Sequence, residues 1–267
     1  MEDLETDEVE TLHQEFEWLL QNEVNAILQK LRNIILECSR RFCLSITKDD
    51  TLVKSEKFEM TNGSNSSVGD VKATLTLYGD NITHADIKLK IYKHSNPSHR
   101  TIVQNDCQWK LQQIQDAGNH LMAALHLFSS YPCIAENGKF NFKSAEEVIQ
   151  MVNSLMGCLQ RGRTSLIVPK KRTMDDLQNS RNMKSLQPPL PLDLAVSFYI
   201  QSHKLVIAVY HIQKDSQGQT KFDVLQAESF VPWLNEALIL FSVGLQLCQQ
   251  LKDKVSVFSQ YKEMNNI

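Results

Sequence analysis

Little in this chain of 267 residues carries the usual marks of catalysis, secretion or a membrane. It has nine glycines, and none builds a G-x-G-x-x-G or P-loop phosphate cradle; a G-x-S-x-G nucleophile elbow is missing too. No apolar run approaches the roughly 18 residues of a membrane span, since "LIVPKK" and "LAVSFYI" are far shorter. No Lys or Arg precedes Lys30, so the acidic start "MEDLETDEVETLHQEFEW" lacks the basic and apolar regions of a secretory signal and predicts none. Six cysteines, at 38, 43, 107, 133, 158 and 248, form no C-x-x-C. Cys38, Cys107 and Cys248 fall on apolar helical positions, which suits reduced thiols packed as small hydrophobes in a cytosolic protein. A net charge of −3 without a basic face gives nucleic acid no footing.

What is present is periodic. Leu20, Val24, Ile27, Leu31, Ile34 and Cys38 follow one another at spacings of four and three. Leu19, Leu28 and Ile35 widen this heptad seam beyond a two-stranded coil, so the segment predicts a bundle helix. The period then changes to two. "VKATLTLY" (71–78) and "ADIKLKIY" (85–92) predict half-buried strands joined by a turn at "GDN", with "LVKSEKFEM" an earlier strand. The triplets beginning at Asn62, Asn65 and Asn81 read as turn residues rather than glycan acceptors.

Helical spacing returns in "QWKLQQIQDAGNHLMAALHLF" (108–128), through Leu111, Ile114, Gly118, Leu121, Leu125 and Phe128. Ser144 and Glu147 form a capping-box signature ahead of Val148, Val152, Leu155 and Leu159. "TSLIVP" predicts a short strand closed by Pro169, and residues 170–191 a long polar loop. "LAVSFYIQ" and "KLVIAVYHI", apolar on both faces, predict strands central in a covered sheet, joined by a hairpin at Ser202 and His203, with "KFDVLQA" a further strand. Pro232, tolerated in a first turn, opens a last helix carrying Leu234, Leu238, Phe241, Leu245 and Cys248.

No block of helices or strands in this order buries its apolar side alone. The expectation is an α+β chain of elongated two-lobe form: a four-helix bundle plus a mostly antiparallel β-sheet lobe, both discontinuous in sequence. Residues 1–45, 105–163 and 229–262 make the bundle lobe, and 46–104 with 164–228 the β lobe, including the 170–191 loop. The bundle seam takes Leu20, Val24, Ile27, Leu31 and Ile34, then Leu111, Ile114, Leu121 and Leu125, then Val148, Val152 and Leu155, and finally Leu238, Phe241, Leu245 and Cys248.

Asp116 and His120 lie one helical turn apart, as acid–base or metal-ligand pairs often do. Such a pair stabilises a helix by about 0.2–0.5 kcal/mol, whereas each large apolar side chain of the stripe contributes about 1.5–3 kcal/mol when buried. Packing therefore dominates, and no third ligand stands at metal-site spacing. Gly118 costs about 1 kcal/mol in a helix, for which a close helix crossing is a good reason. His94 and His99 read as solvated loop residues. "PKKRT" (169–173) resembles a short nuclear-import signal or a basic phosphorylation context but reads first as a solvated loop start, and "PPLP" as a loop-ending proline cluster. A DNA-binding zipper fails, because the region before the first seam is acidic where it must be basic. Catalytic residues, cofactors and metals are not expected.

The blocks "EFEWLLQNEVNAILQKL", "WKLQQIQDA", "QRGR" followed by "SLIVP", "DLAVSFYIQSHKL" and "VPWLNEAL" through "LQLCQQLKDKVSVF" closely resemble, in that order, the Rogdi (leucine-zipper protein) family. The connection between "VYHIQ" and "VPWLN" is shorter than in longer family members. The resemblance implies a non-enzymatic protein with a helical lobe and a β lobe, related to the small subunit of the RAVE complex. It implies as partners a WD-repeat scaffold and cytosolic-sector subunits of the vacuolar proton-translocating ATPase (V-ATPase), with the chain monomeric in that complex. It implies a cytoplasmic location at endosomal or synaptic-vesicle membranes, with links to the nucleus and nuclear envelope. The alternative reading is a homodimeric coiled-coil signalling protein without a pump role.

Overall fold

The computed structural model of the protein describes residues 2–42, 54–63, 66–104, 106–132, 139–170, 172–214 and 220–264. Cys43, Asn65, Cys133 and the expected boundary at 45/46 lie outside them. The fold is α+β with two antiparallel sheets. Its contacts divide the chain into two compact units: Met1–Ser39, Gly118–Arg163 and Ala237–Ile267 form one, and Arg40–Ala117 with Thr164–Glu236 the other.

The first unit is helical. α1 (Glu2–Trp18) passes through a π turn (Leu19–Glu23) into α2 (Val24–Ser39), and the Val24 N–H donates to the Leu19 carbonyl five residues back. Downstream, Val24, Leu28, Leu31, Ile35 and Cys38 are buried, while Ile27 and Ile34 are half-buried flanks. Val24, Leu31 and Cys38 belong to both possible seams, and the helix period does not say which flank faces the neighbours. The unit also takes most of α3 (Gln112–Ser130), α4 (Ala145–Ile167) and α7 (Pro232–Met264). The helices at the two ends of the chain run antiparallel. The Phe16 and Phe258 rings stack at 6.4 Å, Lys254 Nζ reaches both Glu23 carboxylate oxygens at 2.6 and 2.7 Å, and Cys38 Sγ donates to the Ala237 carbonyl at 3.8 Å. Burial pushes the Cys248 thiol up to about 12, so this cysteine is an inert packing group.

A close crossing falls at Gly162. A Cβ there would sit 2.7 Å from Cε1 of the buried Phe241 ring and 3.4 Å from His120 Cβ. Gly157, five residues earlier on the same helix, would meet the flexible end of Arg161 at 3.3 Å.

In the second unit, β1 (Ser55–Thr61), β2 (Gly69–Tyr78), β3 (Asn81–Ile91), β4 (Ser98–Val103), β5 (Trp109–Lys110) and β6 (Leu186–Gln187) form one sheet in the order β1-β2-β3-β4-β6, with β5 beside β3. β7 (Leu194–Gln201), β8 (Lys204–Lys214) and β9 (Thr220–Phe230) form the other. On β2, Val71, Ala73, Leu75 and Leu77 point inward as the alternation required. Asn62 acts as a turn residue: its Nδ2 donates to the Gly69 carbonyl at 2.9 Å and its Oδ1 accepts from the Val71 N–H at 2.8 Å. Trp109 and Phe198 meet edge to face at 5.0 Å, placing the start of α3 beside the three-stranded sheet.

Four expectations are corrected. "TSLIVP" is no strand: α4 continues to Ile167, and the Val168 N–H donates back to Thr164 O at 2.9 Å. Residues 170–191 are no structureless loop, since they hold α5 (Met174–Gln178), α6 (Arg181–Lys184) and β6, with Leu177 and Leu186 buried. Local caps order this segment; Thr173 and Asp176 form a capping box, and Ser180 caps α6 through the Met183 N–H. β8 is central as expected, but β7 is an edge strand. Cys107 and Leu111 precede α3, which begins at Gln112.

Adding a methyl group therefore has opposite consequences at two sites on one helix. Gly162→Ala is expected to lower stability by about 1–3 kcal/mol through overpacking, although Ala favours a helix. Gly157→Ala is expected to raise it by up to about 1 kcal/mol. Urea unfolding of both variants decides the matter, and an equal response at the two positions would contradict the close crossing at Gly162.

Candidate functional site: a groove on the three-stranded sheet

Register across β7, β8 and β9 sorts the sheet into two faces. Leu194, Val196, Phe198 and Ile200 of β7 share the inner face with Leu205, Ile207, Val209 and His211 of β8. The outer face carries Ser197, Tyr199 and Gln201, then Val206, Ala208 and Tyr210, and on β9 Phe222, Val224 and Gln226. Over it lies a groove of about 670 Å³. Its floor includes Tyr199, Tyr210, Phe222 and Gln226; its walls are Lys110–Gln113 and the stretch Pro169, Lys170, Arg172, Thr173, Met174 and Leu177.

The groove has its shape because of Gln113, a residue that the 3-and-4 spacing left unassigned. Its side chain is 7% exposed and fully engaged. Nε2 donates to the Ile200 carbonyl at 2.8 Å and to the Ser165 carbonyl at 3.0 Å, while Oε1 accepts from the Ile200 N–H at 2.8 Å. The amide thus pairs with the open edge of β7 as a further strand would, and covers a carbonyl in the last turn of α4. The Ser202 N–H, at the hairpin residue with φ 61°, donates to the next carbonyl, Leu166 O, at 2.9 Å. Further along the β7 edge, the Val196 N–H donates to Met183 Sδ at 3.2 Å.

Among the described residues Lys110, Lys170 and Arg172 line the groove and no carboxylate does, while Glu228 lies on the same outer face, opposite Val206 and near the Tyr199 phenol. Lys170 Nζ lies 2.6 Å from Asp116 Oδ2 and Lys110 Nζ 3.6 Å from Asp80 Oδ2, so the acids that anchor the two lysines are not groove residues. Asp116 Oδ1 also accepts from Gln112 Nε2 at 2.8 Å, which makes Asp116 a structural carboxylate. The Thr173 hydroxyl, beside the groove, holds the Asp176 carboxyl below the usual carboxylate range. Burial pushes both the Tyr199 and Tyr210 phenols up, so they face the groove uncharged. Gln226 Nε2 donates to Tyr199 Oη at 3.0 Å, leaving that hydroxyl's proton to donate elsewhere. Tyr210 and Phe222 meet edge to face at 6.2 Å, and Phe222 is 51% exposed.

A second polar cluster corrects the reading of His94 and His99 as solvated. The His94 side chain is 8% exposed, because the turn after β3 folds against Asp193 and β8. His94 Nε2 faces the Asp193 carboxylate at 3.1 and 3.3 Å, and its Nδ1 lies 2.6 Å from Asn96 O and 3.3 Å from His99 Nε2. His211 Nε2 is 3.8 Å from Asp193 Oδ2. Asp193 and His99 address opposite nitrogens of His94, so the donors do not converge. Among the described residues no group of three or more His, Cys, Asp or Glu is placed to hold a metal ion.

The seam residues fall as follows. Leu20, Val24, Leu31, Leu121, Val148, Val152, Leu155, Leu238, Phe241 and Cys248 are buried in the helical unit. Ile27, Ile34, Leu125 and Leu245 are half-buried there, whereas Leu111 and Ile114 are buried in the sheet-containing unit. The groove residues were missed because they come from five separate stretches of chain. Only the T-x-x-D of Thr173 and Asp176 offered a local signal.

Gln113→Leu would strip the buried N–H and C=O of Ile200 of their Gln113 partner. Each unsatisfied group costs about 1–3 kcal/mol, so the variant is expected to lose at least about 2 kcal/mol in urea unfolding. The adjacent, exposed Gln112→Leu is expected to stay within about 0.5 kcal/mol of the parent. Equal losses in the two variants would sink the strand-substitute role of Gln113.

No helix among the described residues is long and apolar enough to cross a membrane. The model of the family described as Rogdi leucine zipper containing protein matches residues 15–266. Protein rogdi of Drosophila melanogaster is 48% identical, covering 98% of this chain and 93% of its own length. The protein rogdi homolog of Danio rerio is 38% identical over 94% of each chain, and that of Homo sapiens 36% identical over 94% of this chain and 93% of its own. Matched by that family model over nearly its whole length and 48% identical to a family member across 98% of its residues, the chain belongs to the Rogdi family.

Proposed function

We propose that the chain is a non-catalytic adaptor that works by holding protein partners in a fixed geometry, in RAVE-type assembly or regulation of the V-ATPase. In this reading the partners are the WD-repeat scaffold of that complex and cytosolic-sector subunits of the pump. The protein acts in the cytoplasm at endosomal or vesicle membranes, and also at the nucleus or nuclear envelope. In this reading residues 1–45, 105–163 and 229–262 make a four-helix-bundle lobe built on the seam residues, and residues 46–104 and 164–228 a β lobe.

The observation that carries the adaptor reading is the outer face of the three-stranded sheet. It presents half-exposed aromatic and aliphatic side chains beside an ordered segment, which is a surface suited to a protein partner. Burial of most seam residues inside one chain supports a monomer over a coiled-coil dimer, whose apolar seam would face a second copy.

Affinity purification of the tagged chain from its own cells, followed by mass spectrometry, is expected to recover a WD-repeat scaffold together with cytosolic-sector pump subunits. Their joint absence after gentle lysis, with the tagged chain folded and abundant, would overturn the pump role.

A further inference from the structure

We infer that His94 is a proton-operated clasp between the two sheets. With both ring nitrogens protonated, it ties the turn after β3 to Asp193 at the entry of β7; loss of one proton loosens that tie. The side chains around it come from both sheets of one unit. His94 and His99 belong to the turn after β3 and to β4, whereas Asp193 precedes β7 and His211 lies on β8.

Counting protons on His94 carries the inference. A neutral imidazole has one N–H to donate and one bare nitrogen that only accepts. His94 faces an acceptor on each side. Nε2 has Asp193 Oδ2 at 3.1 Å and Oδ1 at 3.3 Å, and Nδ1 has the Asn96 carbonyl oxygen at 2.6 Å. With no hydrogen between them, Nδ1 and that oxygen would press two lone pairs together, closer than N–H···O partners usually stand. The Asn96 N–H and His99 Nε2 also approach Nδ1, but at the longer distances of 3.1 and 3.3 Å. Only the imidazolium donates to both acceptors at once, and a charge-assisted bond accounts for the short contact.

Burial gives the proton its leverage. The His94 side chain is 8% exposed, so a neutral ring leaves one acceptor against a bare nitrogen with little water to replace it. The Asp193 side chain is 43% exposed, which keeps the pair in exchange with solvent protons. The remaining titratable groups recorded around the pair, among the described residues, are His99 and His211. His211 Nε2 lies 3.8 Å from Asp193 Oδ2, while its Nδ1 accepts from Gln213 Nε2 at 3.1 Å, an amide that also donates to Asp223 Oδ2 at 3.2 Å. A proton added to His211 or His99 sets a second positive charge beside the first, with one carboxylate between them. The clasp therefore holds on the first proton and is weakened by further ones.

The sign follows from where the first proton is bound. The closed turn keeps it in two hydrogen bonds, whereas a released imidazole, with a pKa of about 6.5, gives it up above neutrality. The closed form gains on the open one as pH falls from about 8 to about 6, by at most tenfold per unit.

The test uses the full chain labelled with 15N. Two-bond 1H–15N correlation spectra report the protonation of each histidine ring, and His94→Gln identifies the His94 signals by their loss. The expected His94 pattern at pH 6 is two protonated nitrogens. The Ile91 and His94 amides, which donate across the turn to Pro97 O at 2.7 Å and to Ile91 O at 3.2 Å, report its opening by hydrogen exchange. Corrected for the intrinsic rate, their protection is expected to be about fivefold or more greater at pH 6 than at pH 8. His94→Gln and Asp193→Asn are each expected to flatten that dependence, with the amides of β2 as the internal reference for global stability.

A single neutral tautomer of His94 at pH 6 overturns the inference, and the parent spectra decide this even where a variant misfolds. Turn protection that is unchanged between pH 8 and pH 6, or that falls as pH is lowered, overturns it as well. A pH response as large in His94→Gln as in the parent assigns the effect to other groups and removes the clasp.

Discussion

A single side-chain amide sets the geometry of the sheet-containing unit. β7 is an edge strand with apolar residues on both faces, and its outward N–H and C=O groups would remain unpaired if left bare and buried. The planar amide of Gln113 offers one acceptor and two donors in the arrangement of a peptide group. It satisfies both backbone groups of Ile200 and takes up the Ser165 carbonyl as well. The start of α3, the end of α4 and the edge of β7 are therefore pinned at one point. Since the Pro169–Leu177 stretch departs from the end of α4, the groove wall is placed by the same interaction.

The groove shows how an ordered surface is made from a segment whose composition suggests a loop. Between Thr173 and Gln187 no long apolar run exists, and order comes from short-range hydrogen bonds. A capping box holds α5, a serine caps α6, and Leu177 and Leu186 anchor the segment in the core. Thr173 connects the two roles, since its hydroxyl completes the cap and its residue lines the groove. On the sheet opposite, β9 leaves Phe222 and Val224 exposed on a rigid backbone. Ordered walls and an aromatic floor fit the recognition role proposed for this face.

How far the sequence reached depended on the range of the forces at work. Period-two alternation located β2 and β3 because one face of each is buried along its whole length. "TSLIVP" misled because β-branched residues favour strands, whereas here the last turn of α4 is stabilised by Gln113 and Ser202, residues far away in the chain. His94 seemed a loop residue because nothing local reveals that its turn folds against Asp193, 99 positions later. The same limit applies to glycine, since the close crossing at Gly162 follows only from the position of Phe241.

By itself the sequence determined the class of each long element, the α+β character and the family, because periodicity and ordered blocks of residues are written along the chain. It also made a structural role for Asp116 and His120 the stronger reading, on the small worth of one flank pair against a buried stripe. Tertiary structure alone decided which strand is an edge, which flank of the α2 seam is buried, where the helices cross closely, and that Lys110, Lys170, Arg172, Tyr210 and Phe222 share one groove. Those outcomes depend on pairings such as Gln113 with Ile200, 87 residues apart, whose energy exists only once the chain has closed on itself.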